Sequence, residues 1–128
     1  MITEVTEGIK ISVDTAYVPT HSQPANSMFL FSYTITIENC GSETVRLLRR
    51  HWHIFETNGE RREVEGKGVV GEQPILGPGD SHEYTSACDL STEIGKMHGT
   101  YLMERSNTGE RFYVNIPEFV MVVPHALN

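Results

Sequence analysis

The segment Phe29 to Glu38 alternates without a break. Phe29, Phe31, Tyr33, Ile35 and Ile37 fall on one side, and Ser32, Thr34, Thr36 and Glu38 on the other. Period two with aromatic and β-branched residues describes a strand with one buried face. A sheet built on such a strand has an apolar side that needs a second layer to cover it. The same rhythm recurs in Ile9-Ile11-Val13-Tyr17, in Val45 to Phe55, in Ser81 to Cys88, in Met97-Gly99-Tyr101-Met103, in Phe112-Val114-Ile116 and in Phe119 to Val123. Arg61 to Glu65 reads as a short, polar edge strand. In Val45 to Phe55 the expected buried side is Leu48, Trp52 and Ile54, with Arg49, His51 and His53 on the opposite face.

Turn signals separate these runs at intervals of about ten residues. They are the loop Pro19 to Ser27, Asn39-Cys40-Gly41-Ser42, Asn58-Gly59, Gly77-Pro78-Gly79-Asp80, a loop from Asp89 to Gly95, and Asn107-Thr108-Gly109. Asn58-Gly59 is a favoured two-residue hairpin turn because both residues tolerate positive φ. Pro117 is expected to interrupt a strand, since it cannot donate to a ladder. No stretch keeps apolar residues at helical spacing for the length of an ordinary helix. The expectation is an all-β, immunoglobulin- or fibronectin-type-III-like sandwich of seven to eight antiparallel strands, and 128 residues fit one domain, 1–128.

Composition narrows the function. The formal net charge is -7, against the basic surplus of a nucleic-acid-binding domain. No apolar run approaches the ~20 residues that cross a bilayer, so membrane insertion is not expected. Met1 to Lys10 carries Glu4 and Glu7 and lacks the features of a signal peptide. Cys40 and Cys88 have no metal-type spacing and read as thiols of a reduced, cytoplasmic protein. No cofactor is implied, and the chain reads as a monomer or homodimer.

Glu65 to Pro74 contains G-x-G-x-x-G, at Gly66, Gly68 and Gly71, with Lys67 inside. Such a loop can approach a ligand closely and aim N–H groups at an anion, or it can only bend a strand. Pro74 and the strand pattern that follows deny the helix a dinucleotide fingerprint requires. Of ten Lys and Arg, six lie between Arg46 and Lys67, and guanidinium groups fork onto phosphate or carboxylate. If the Asn58-Gly59 hairpin pairs its strands, Arg49, Arg61 and Arg62 can share one neighbourhood. The alternative is that these cations pair with Glu56, Glu60, Glu63 and Glu65 as weak surface bridges. His51 and His53, two residues apart on one strand face, can hold a metal only with further ligands, for which His98 and Glu83 are candidates. No G-x-S-x-G elbow or other catalytic set is present, so an enzyme is not expected.

Phe31 to Asn39, Val45 to Trp52, Val64 to Pro74, Pro78-Gly79, Tyr84-Thr85-Ser86, Met97 to Tyr101 and Phe112 to Phe119 together closely resemble the ApaG family, nearly end to end. The combination of Arg50-His51-Trp52 with the glycine loop is its most specific part. The resemblance implies a fibronectin-type-III-like sandwich and an association with cobalt resistance and magnesium efflux. Related domains in an F-box protein and a polymerase-delta-interacting protein look like interaction modules. The family's glycine motif resembles a pyrophosphate-binding fingerprint. Two expectations follow: recognition of an unidentified protein partner around Arg50, Trp52 and Gly68, or binding of pyrophosphate or a nucleotide by Gly66, Lys67, Gly68 and Gly71 with Arg49, Arg61 and Arg62.

Overall fold

The computed structural model describes residues 1–127, and two antiparallel sheets account for nine strands among them. These are β1 (Ile2–Thr6), β2 (Ile9–Tyr17), β3 (Phe29–Asn39), β4 (Val45–Glu56), β5 (Arg61–Lys67), β6 (Ile75–Leu76), β7 (Ser81–Leu90), β8 (Ile94–Arg105) and β9 (Arg111–Val122). The first sheet runs β1-β2-β3-β7 and the second β5-β4-β8-β9, with β6 pairing the start of β4. The alternation in β3 is realised in full: Phe29, Phe31, Tyr33, Ile35 and Ile37 are all buried. Their layer meets Leu47, Trp52, Ile54, Met97, Tyr101 and Phe119 from the other sheet. Trp52 stands edge-on to Tyr33 at 5.4 Å and to Phe119 at 5.8 Å between ring centroids, a favoured aromatic geometry. Gly99 lies opposite Trp52, where a Cβ would fall 2.1 Å from the His51 carbonyl oxygen. That residue must be glycine for β8 to pair so closely with β4.

The sandwich is closed along one side and open along the other. On the closed side β1 and β2 pack beside β9, and the Asn115 N–H donates to Thr6 Oγ1 at 3.2 Å. On the other side β7 ends the first sheet and β5 the second. The buried Asn39 pins the end of β3. Its side-chain amide donates to the carbonyls of Glu43 and Leu76, and its Oδ1 accepts from the Gly41 N–H.

Three sequence expectations are corrected, and one strand is added that the sequence does not signal. Leu47, not Leu48, is the buried leucine of β4, because a bulge between Leu47 and Arg49 inserts one residue and inverts the phase. Pro117 does not end a strand. It lies inside β9, where the register passes from Met97↔Phe119 to Gly99↔Ile116 and leaves Pro117 and Glu118 opposite the single residue His98. A bulge on a sheet-end strand is where a missing N–H is tolerated. The expected loop from Asp89 shrinks to residues 91–93, since β7 reaches Leu90 and β8 starts at Ile94. The strand β1 carries no buried-face signal in the sequence, because its residues are exposed or half-exposed. It forms through the turn at Glu7 and Gly8, both at positive φ.

Candidate functional site

The hairpin β4–β5 carries nearly every candidate residue, and its register sorts them by face. Arg49 pairs with Lys67, His51 with Glu65, His53 with Glu63 and Phe55 with Arg61 on the outer face. Arg50 pairs with Gly66, Trp52 with Val64 and Ile54 with Arg62 on the inner one. The expected cluster of Arg49, Arg61 and Arg62 does not form. Arg61 lies over the Phe55 ring at the far end of the outer face, and Arg62 is on the inner face, because neighbouring strand residues point oppositely. Arg49 and Lys67 are the cation pair the register does bring together.

The glycine motif is a structural device in three parts. At Gly66 a Cβ would sit 2.7 Å from the Arg50 guanidinium, so the missing side chain is the space Arg50 occupies. At Gly68, φ is +66° and a Cβ would fall 2.2 Å from the Glu72 carbonyl oxygen. Val70 and Gly71 form a tight two-residue turn at φ 47° and 78°, closed by Val69 N–H to Glu72 O at 2.8 Å and Glu72 N–H to Val69 O at 3.0 Å. The Gly68 N–H donates to the Leu48 carbonyl. The amides of Gly68, Val69 and Glu72 are thus spent within the loop. Gly68 itself is buried, contrary to the expectation that it offers open backbone to a ligand.

Along the open side a groove runs between β5 and β7. Tyr33, Trp52, Val64, Ser86 and Cys88 line it, with Arg50 and Arg62 contributing their cationic ends. Arg50 donates to the carbonyls of Lys67 at 3.2 Å and Gly68 at 3.0 Å. Two acceptors use only part of a guanidinium's five donors. Arg62 bridges the two strands, donating to the Asp89 carbonyl and standing 3.5 Å from the Asp89 carboxylate. Trp52 is 2% exposed and forms the floor of the groove, not a protruding contact. Burial pushes the Cys88 thiol up to about 11, with smaller opposing influence from Arg62, so it is protonated near neutrality. Beneath the groove the Tyr84 and Tyr101 hydroxyls hydrogen-bond to each other, and burial raises both far above the usual phenol value.

On the outer face His51, His53 and His98 form a stack, with centroids 4.5 Å and 5.0 Å apart. Glu63 stands 3.6 Å from His51 Nε2 and 3.3 Å from His53 Nδ1. Spacing alone gave the two strand histidines. Glu63 was legible only through the cross-strand register, and it takes the place expected for Glu83, which lies on β7 in the other sheet.

The fold and these sites describe a β-sandwich module with one open side and a hairpin that concentrates its cations and histidines. Residues 19–105 match the family model of the ApaG domain, and the chain belongs to that family. It is 48% identical over 128 residues to Protein ApaG of Anaeromyxobacter dehalogenans (strain 2CP-C), covering 100% of both chains. It is 49% identical over 120 residues to Protein ApaG of Nitrosomonas eutropha, covering 94% of each. A crystal structure of a Bordetella pertussis protein described as ApaA superposes with a TM-score of 0.87 at 44% identity, over 91% of this chain and 94% of that one. No helix among the described residues is long and apolar enough to cross a membrane.

Proposed function

We propose that this protein is a non-enzymatic recognition module of the cytoplasm, linked to divalent-cation (Co2+/Mg2+) homeostasis, that takes an extended segment of a partner protein along its open side. The observation that carries this reading is the groove between β5 and β7, where two cationic ends lie beside the free edge of a ten-residue strand. A free edge offers backbone donors and acceptors for strand addition. The remaining donors of Arg50 fit a carbonyl or carboxylate of the added segment, and the exposed Val64 fits its apolar side chains. Affinity capture from native cytosol with chemical crosslinking tests this. Wild-type protein is expected to retain a discrete partner that Arg50→Ala loses, and recovery of no specific partner counts against the reading.

A second reading, binding of pyrophosphate or a nucleotide, is favoured by one observation, the cross-strand pair Arg49↔Lys67 beside the glycine loop. Calorimetric titration with pyrophosphate, ATP and ADP tests it. A ligand held by the native state raises the melting temperature by mass action, and absence of both heat and thermal shift at millimolar ligand removes it.

A further inference from the structure

We infer that His51, His53 and Glu63 form a binding site for one borderline-soft divalent transition ion of the zinc or cobalt class, on the outer face of the second sheet. The site does not rest on the groove, which lies on the inner side of the same hairpin. His51 and His53 stand two residues apart on β4, and Glu63 faces His53 from β5. One ligand atom from each of the three lies within 4.8 Å of the others. Two imidazole nitrogens and one carboxylate oxygen are the donor set of many three-ligand zinc sites, which leave a further position for water or a partner's group. Imidazole selects this class of ion over magnesium or calcium, which prefer all-oxygen shells.

Two further observations separate this cluster from an ordinary surface ladder of charges. His51 Nε2 is buried without a hydrogen-bond partner, the Glu63 carboxylate at 3.6 Å standing too far off to provide one. Buried polar atoms are nearly always satisfied, and an orphan calls for a cause. A metal ion at the meeting point of the three side chains supplies it. At the other ring nitrogen of His51, Glu65 Oε1 stands 3.5 Å from Nδ1. When Nε2 ligates the ion, the remaining ring proton sits on Nδ1 facing the Glu65 carboxylate, the kind of support most metal-bound histidines have. His98 stacks on His53 from β8 at 5.0 Å and 18° between planes, holding the ring in place. Glu63 and Glu65 also offset the charge an ion would bring.

The test uses the full chain, stripped with a chelator and titrated with ZnCl2 by calorimetry. Parallel titration with CoCl2 reads visible ligand-field absorption, which reports the coordination geometry directly. The expected result is one equivalent per chain, with cobalt bands of a low-coordinate nitrogen and oxygen shell. Binding is expected to be lost in His51→Ala/His53→Ala and in Glu63→Gln. In Glu65→Gln it weakens by roughly 10- to 100-fold, the range seen when a supporting carboxylate is removed. His21→Ala, on the exposed loop before β3, binds as wild type. Melting curves in chelator show whether each variant is folded; the two histidines are half-buried on the outer face and the glutamates exposed, outside the core between the sheets, so the fold is expected to persist. Uptake below one equivalent, equal uptake by wild type and the double histidine variant, or equal loss in His21→Ala overturns the site and leaves a stack of histidines with carboxylate neighbours.

Discussion

Arg50 depends on an atom that is not there. Its guanidinium fills the space over Gly66 and hangs from two carbonyls at the lip of the groove. Gly66 and Gly68 therefore respond differently to the same change. Gly66→Ala meets only the movable end of a long side chain, and is expected to shift stability by less than about 1 kcal/mol while displacing Arg50 and weakening partner capture. Gly68→Ala meets backbone at a left-handed φ and is expected to lose about 2 kcal/mol or more. Thermal melts of both variants, with capture assays on Gly66→Ala, check the contrast. The sequence displays three equivalent glycines in a phosphate-like spacing. Their separate reasons differ in origin: the cation's berth at Gly66 belongs to the register of β4 on β5, the close contact at Gly68 is with the Glu72 carbonyl, and Gly71 completes a turn closed between Val69 and Glu72. The spacing of the three glycines does not by itself distinguish these roles.

Among the elements, β3 was fully legible because every second residue is apolar and both its neighbours are strands. Legibility failed where a strand departs from period two. The bulge at Leu48 exchanges two adjacent leucines of equal hydrophobicity, so composition cannot say which is buried. The bulge at Pro117 lets proline remain within β9. The strand β1 buries little and is assigned by its turn and its pairing with β2. Loop ends are fixed by a different device, the Asn39 side chain, which satisfies three backbone groups at once. Asn39→Ala leaves those groups unpaired in a buried place and is expected to cost about 1–3 kcal/mol. The measurement is a urea midpoint shift at constant m-value, accompanied by faster amide exchange at Gly41.

For the whole molecule, burial of ionisable groups in one core sets the response to alkali. Tyr33, Tyr84, Tyr101 and Cys88 are all raised chiefly by desolvation. Below the ordinary values of 9.0 for the thiol and 10.0 for the phenols, folded and unfolded chains hold the same protons, and these groups add no pH dependence. Above them the unfolded chain ionises first and binds fewer protons, so stability falls as pH rises. Each group adds a slope of up to about 1.4 kcal/mol per pH unit, and the Cys88 contribution ends near its folded value of about 11. Urea melts across this range are expected to show a steepening loss of stability above pH 9, reduced in Cys88→Ala.

The same whole-molecule asymmetry, one side closed by β1 against β9 and the other left open between β5 and β7, underlies the recognition reading. Site-specific photo-crosslinking in living cells measures it most directly. A photoreactive residue at Val64 or Ser86, which line the groove, is predicted to give a discrete adduct with one partner protein. The same residue at Val5 or Val120, exposed elsewhere on the sandwich, is predicted to give none. Adducts from Val5 or Val120, with none from the groove positions, would contradict the account.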